Sequence, residues 1–297
     1  MSKKEKAIEL SLLVAGIITV LITVGIVFIL VKNSVDFFRI IPLREFLTST
    51  KWAPLFKEKS FGVLPLLFGT LYTSFIALIV ALPMGLLISV TLSEYMPKEL
   101  RKIVKPILEG FSAIPTVVYG YIALMVVTPV LKTFIPSIES YNSLSAGIVM
   151  GFMIMPMISS LSEDALFAVP DSMREASFGL GASKFQTTFH VLIPFASTGI
   201  IVSVILAFAR ALAETMIVTI AAGQSPSLSL NPLKPIQTIT SYIIEVSKGD
   251  VTKIGSAADV ASYKSIYAVG LALFVLTFFL NSISFLYKRR IEKRYNQ

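Results

Sequence analysis

Cysteine is absent from the 297 residues, histidine and tryptophan occur once each, and charged residues make up only 15%. Each scarcity closes off some chemistry. Without cysteine there is no disulfide framework and no thiolate metal or redox centre. The single histidine, His190, falls at the start of an apolar run with no obvious serine partner for an intramembrane nucleophile. No apolar run holds an aspartate in its interior, and Asp164 stands at the end of one, so paired buried aspartates are excluded too. The stretch GLGASKF lacks the G-x-x-x-x-G-K-[ST] spacing that cradles phosphates, so any ATP must be hydrolysed by a partner. Charge this sparse lies well under the roughly 25% of a soluble domain, and 55% of the residues are hydrophobic. The chain belongs in a lipid bilayer. Its net charge of +8 comes mostly from loops and tails flanking apolar runs, which argues against a nucleic-acid partner.

About 20 apolar residues cross the hydrocarbon core as a helix that satisfies its own backbone. Six runs qualify, at about 8–31, 63–92, 107–131, 144–162, 191–222 and 264–287. The first, with its core from Leu10 to Val31, is longer than a signal peptide's apolar region and lacks a small-x-small cleavage site. It reads as a retained span that doubles as the export signal. Pro83 with Gly85, and Pro156, predict bends in the second and fourth spans. The predicted fold is all-α and polytopic, a single transmembrane domain over 1–297. Six crossings put both termini on one side. The tails are basic (Lys3, Lys4 and Lys6; Lys288, Arg289, Arg290, Lys293 and Arg294), as is the loop MPKELRKIVKP. By the positive-inside rule both termini lie in the cytoplasm, although the segment 32–62 also carries six basic residues. Two outer segments result, about 32–62 and 223–263. In the second, Ile236, Ile239, Tyr242, Ile243 and Val246 recur at helical spacing and predict a short amphipathic helix at the outer surface.

The loop between the fourth and fifth spans, about 163–190, has two parts. Asp171 or Ser172 suits a helix N-cap, with Glu175 in the first turn against the dipole. Gly179 and Gly181 then permit a turn and close packing, and Pro194 suits the first turn of the fifth span or a bend there.

These residues resemble a known family. Glu175, Ala176 and Ser177, three further residues, Gly181, nine more, then Val191, Ile193 and Pro194 match the EAA loop of ABC-importer permeases, with Ser177 in place of the second alanine. FGVLPLLFGTLYTSFIALIVALPMGLLISVTLSEY, KPILEGFSAIPTVVYGYIAL, ARALAETMIV and YAVGLALFVLTFFLNSIS, in that order, resemble permeases of phosphate importers. FLTSTKWAP and VVYG resemble the PstC branch rather than the PstA branch. The resemblance implies a half-channel that pairs with a second, PstA-like phosphate permease. It implies two copies of a cytosolic ABC ATPase docked on the EAA loops, and an external phosphate-binding protein that delivers inorganic phosphate. No cofactor is implied for this chain; ATP and Mg would sit on the ATPase. Residues of about 171–185, among them Arg174, Glu175, Ala176, Gly179, Gly181 and Ala182, would couple to that ATPase and catalyse nothing. A permease for another oxyanion, such as molybdate or phosphonate, is the nearest alternative. A self-sufficient secondary transporter would typically show inverted repeats, which this sequence does not display, and a membrane-embedded enzyme lacks its residues.

The fifth run carries Arg210 and Glu214 near its middle. An arginine at a helix centre costs roughly 2.5–3.5 kcal/mol on insertion scales. An i,i+4 pair returns only about 0.2–0.5 kcal/mol where exposed, so a further partner or cavity is expected. A planar guanidinium meets two phosphate oxygens at once. Glu214 would orient Arg210 and compete with substrate, so that phosphate does not stick. Thr215 and Thr219 share the predicted helix, and Ser112 and Thr116 flank Pro115 as weaker contributors. The alternative is a structural pair locking this helix to another. The resemblance favours a substrate pathway through Arg210, Glu214 and Thr215.

Overall fold

The computed structural model describes residues 3–56, 58–248 and 257–295. The side chains of the basic tails and residues 249–256 of the expected outer segment lie outside the described residues. Among the described residues the named elements are helices: α1 Lys3–Phe38, α2 Leu43–Thr48, α3 Leu64–Val90, α4 Lys98–Phe111, α5 Thr116–Ile122, α6 Thr128–Phe134, α7 Ser143–Phe167, α8 Asp171–Gly179, α9 Lys184–Thr187, α10 Ile193–Leu212, α11 Met216–Ala221, α12 Ile239–Lys248 and α13 Ala257–Tyr295. Single wide turns with i→i+5 bonding extend α3 (Thr91–Tyr95), join α5 to α6 (Ala123–Val127) and join α9 to α10 (Thr188–Leu192). Among the described residues six helices are long and apolar enough to cross a membrane: Ile8–Phe38, Leu64–Tyr95, Thr116–Phe134, Ser143–Phe167, Lys184–Leu212 and Val260–Leu286.

The α3–α7 pair forms the centre of the bundle. Small residues make the close approach possible, as lipid offers no hydrophobic drive for helices to associate. Ala77, Ala81 and Gly85 line one face of α3, and Gly147 and Gly151 one face of α7. A Cβ on Gly147 would lie 2.5 Å from Ile76 Cγ2, and one on Gly151 2.8 Å from the Ala77 carbonyl. Both helices continue through Pro83 and Pro156. Around this pair Met150, Ile154, Ile158, Ile217 and Val218 form one buried core. A second core gathers Phe37, Phe46, Trp52, Phe61, Tyr242 and Val246 at the opposite end from α8. Trp52 meets Tyr242 edge-on at 4.9 Å between ring centroids. The Tyr242 hydroxyl lies 2.7 Å from Ser265 Oγ, and burial raises its pKa.

Two departures from the sequence expectation have physical causes. The third span starts at Thr116 rather than near 107, because Ser112–Pro115 interrupts the helix after α4. α4 is amphipathic, and its charged face turns inward: Arg101 and Lys105 meet Glu163 on α7 while Leu100, Ile103 and Ile107 are exposed. The fifth span begins at Lys184 and breaks at Ala213–Thr215, so the run 191–222 is not one helix. The predicted amphipathic helix exists as α12, after Ile236, with its apolar face packed inward and Ser247 and Lys248 exposed. Ile239, Tyr242 and Val246 are buried, and the chain leading to α12 threads the bundle. There the Ile236 amide donates to the Ala222 carbonyl at 2.9 Å and the Ile239 amide to Thr70 Oγ1 at 3.0 Å.

Candidate functional site

Four helices converge on Arg210. It lies in the last turn of α10, facing the end of α4, the start of α5 and the middle of α7. Between them is a cavity of about 420 Å³. Its polar lining is Arg210, Glu109, Ser112, Thr116 and Ser160; Met153, Ile154, Met157 and Leu161 of α7 form an apolar wall. The turn after α4 shapes the opposite side. There the Ser112 amide donates to the Glu109 carbonyl at 3.0 Å, the Tyr119 hydroxyl to the Phe111 carbonyl at 2.8 Å, and Pro115 precedes α5. Ser112 and Thr116, which the sequence offers only as neighbours of Pro115, thus share one cavity with Arg210.

Arg210 and Glu214 do pair, with Nη1 3.6 Å from Oε2, but on unequal terms. The Arg210 side chain is 49% exposed and that of Glu214 2%. The break between α10 and α11 explains the asymmetry. Glu214 Oε1 accepts the amides of Met216 (3.0 Å) and Ile217 (3.4 Å) at the start of α11, and the Glu214 carbonyl accepts Thr240 Oγ1 at 2.7 Å. The pair therefore does not share one continuous helix face; Thr215 lies in the break and Thr219 beyond it on α11. Glu214 and Thr215 are not among the residues lining the cavity. Thr215 Oγ1 contacts the Ala213 carbonyl at 3.2 Å.

The second region is α8 and the turn that follows. Arg174 points inward. Its guanidinium donates to Glu94 Oε1 (2.9 Å), to the carbonyls of Leu166 (3.0 Å) and Val169 (2.7 Å), and to Asp171 Oδ1 (3.2 Å). This bolts α8 to the ends of the second and fourth spans. Ser177 is buried, with its hydroxyl 2.9 Å from Thr187 Oγ1. Glu175, Ala176, Gly179 and Gly181 are exposed and Ala182 half-buried. Gly181 has φ +82°, a conformation that favours glycine. The expected close packing at Gly179 and Gly181 does not occur within this chain, since a Cβ on either would meet nothing within 4 Å. Beside them Leu180 is 91% exposed, with Phe178 and Phe185 also open. An apolar, outward-facing helix end on a rigid mount is suited to seat in another protein's groove.

Sequence reasoning missed two elements. Glu163, fully buried, holds Arg101 and Lys105, and Lys105 also reaches Asp164 at 2.9 Å. Burial works against the Lys105 ammonium, but its hydrogen bonds and charge contacts with Glu163 and Asp164 outweigh that and raise its pKa. Glu109 falls inside the expected third run without a role; the structure puts it in the cavity. The four-residue spacing of Arg101, Lys105 and Glu109 was the available signal.

Residues 81–297 match the family model described as "Binding-protein-dependent transport system inner membrane component". A probable ABC transporter permease protein, YqgH, of Bacillus subtilis is 35% identical over 83% of this chain and 78% of its own. The phosphate transport system permease protein PstC of Mesorhizobium japonicum is 32% identical over 84% of this chain and 80% of its own. Among solved structures, the MetNI methionine ABC transporter in an inward-facing conformation matches 77% of this chain and 94% of its own. The TM-score is 0.54 at 19% identity, a likeness of fold. The chain belongs to the inner-membrane components of binding-protein-dependent transport systems: a multi-pass, non-catalytic permease subunit of an ABC importer, whose ATP is bound by the partner ATPase.

Proposed function

We propose that this permease conducts inorganic phosphate, and that the cavity beside Arg210 lies on its path. One observation carries the reading: a half-exposed guanidinium, ion-paired among the described residues only with Glu214 at 3.6 Å, opens into a membrane-domain cavity lined also by the hydroxyls of Ser112, Thr116 and Ser160 and the carboxylate of Glu109. A guanidinium offers parallel donors to two oxyanion oxygens, and the hydroxyls add adaptable donors. Glu214 holds Arg210 loosely and stays tied to α11, so the cation is oriented without being neutralised and substrate is not trapped. The PstC relatives, named for phosphate transport, support the choice of anion.

In this reading the α8 end faces the cytoplasm, with both termini on that side. The exposed apolar end of α8 seats in one of two ATPase copies, a PstA-like permease forms the other half of the path, and an external phosphate-binding protein feeds it. The test is radiolabelled phosphate uptake in a host lacking its own high-affinity importer. It compares wild type with Arg210→Gln at matched membrane abundance, with all partners supplied. Saturable, ATP-dependent uptake lost in the variant is the expected result. Equal uptake by both would demote Arg210 to a structural part, and transport of a different oxyanion alone would overturn the substrate.

A further inference from the structure

We propose that Glu109 is a specificity-determining residue of this permease, accepting a hydrogen bond from the acidic hydroxyl of a protonated oxyanion and rejecting oxyanions that have none. The inference rests on the reading of the cavity as phosphate's path.

Glu109 lines the same cavity as Arg210. Its carboxylate has one hydrogen bond among the described residues, from Ser160 Oγ to Oε1 at 3.1 Å. Among those residues Oε2 carries none. A carboxylate beside an anion's path is at first sight a mistake, because it repels the cargo. The repulsion is selective, however. An ionised carboxylate is an acceptor only. An anion that presents nothing but lone pairs meets Oε2 as charge against charge. An anion that carries a hydroxyl donates its proton into a short, charge-assisted hydrogen bond. Phosphate keeps at least one P–OH near neutral pH; sulfate has no proton to give. The other groups in the cavity do not make this distinction. Arg210 donates to any pair of oxyanion oxygens, and Ser112, Thr116 and Ser160 donate or accept as required. Discrimination therefore falls on the one group that only accepts.

The position of Glu109 is also built rather than incidental. Arg101, Lys105 and Glu109 lie four apart along α4. All three are pinned to α7: Arg101 on Glu163, Lys105 on Glu163 and Asp164, and Glu109 on Ser160. Two docked helices set the register of the carboxylate, where a loop would leave it free to swing away.

The test uses the assembled importer, both permeases with their ATPases, in proteoliposomes without the binding protein, so that this site alone selects. Binding of radiolabelled phosphate is competed with sulfate and with monofluorophosphate, a dianion of phosphate's shape in which fluorine replaces the hydroxyl. On the wild type both competitors should be at least about tenfold weaker than phosphate, the scale of one charge-assisted hydrogen bond. Equal competition by monofluorophosphate overturns the proposal with no variant needed. In Glu109→Gln, whose amide also donates, sulfate should approach phosphate, whereas Glu109→Asp should keep the preference. A wild-type preference retained in Glu109→Gln overturns the role of Glu109 and leaves the cavity reading intact. Absence of phosphate binding by the wild type overturns both.

Discussion

Replacing Arg174 by methionine keeps an unbranched apolar stem and removes the guanidinium with every donor. The structure sets the size of the effect. Arg174 is 17% exposed at its side chain and Glu94 9%. Breaking a buried pair by removing one partner costs about 3–5 kcal/mol. The lower end applies here, because the site is not fully dry and Ser93 Oγ still donates to Glu94 Oε1 at 2.9 Å. The contact with Asp171, whose side chain is 88% exposed, contributes almost nothing. The carbonyls of Leu166 and Val169 also lose their donor, and water can reach them once α8 loosens. A loss of about 3 kcal/mol shifts the docked-to-undocked equilibrium of α8 by roughly 150-fold. The assay is hydrogen exchange in the assembled transporter, read alongside ATPase stimulation by substrate-loaded binding protein. The α8 amides should exchange about 100-fold faster in Arg174→Met, with ATP hydrolysis uncoupled from uptake while the complex stays assembled. Glu94→Gln should be milder, since an amide oxygen still accepts from Arg174. The double variant should cost less than the sum of the singles. Unchanged exchange at α8, or strict additivity, would refute the claim that Arg174 mounts this helix.

Gly181 should tolerate volume but not a side chain's backbone preference. At φ +82° with open space around its Cβ position, alanine costs about 1–2 kcal/mol and asparagine less. Thermal unfolding and ATPase stimulation should both rank glycine, asparagine, alanine, and equal behaviour of all three would count against the turn. Gly147→Leu should cost about 1–3 kcal/mol by overpacking the α3–α7 contact, since even its Cβ would lie 2.5 Å from Ile76 Cγ2. Unfolding in detergent should show partial recovery in the Gly147→Leu, Ile76→Ala double variant, and a single variant as stable as wild type would sink the packing argument.

The sparse charge, the six apolar runs and the EAA spacing determined the class of this molecule without any coordinates. A bilayer leaves little choice: a long apolar run must be a helix, because nothing else satisfies its backbone there. The EAA spacing was legible because it is local, with Glu175, the turn glycine Gly181 and Pro194 in fixed order; the expected cap was not, since α8 follows Pro170 with no side-chain cap and Asp171 is already helical. Hydropathy failed where long-range contacts reshape a run. The start of the third span, expected near residue 107, moves to the break at Ser112–Pro115. The reason is that α4 directs its charges to Glu163, Asp164 and Ser160, between 51 and 62 residues away in sequence.

Arg210 and Glu214 were legible as a pair because they are four residues apart, but their division of labour was not. Only the tertiary structure decided that Glu214 is buried at a helix break, tied to α11 and to Thr240, while Arg210 opens into a cavity with Ser112, Thr116, Ser160 and Glu109. The physical reason is the same in each case. Hydropathy and spacing report what a segment does with lipid and with its own backbone, and both are local. Which charges are paired, which are left facing open space, and which helix ends meet depend on packing between segments far apart in the chain.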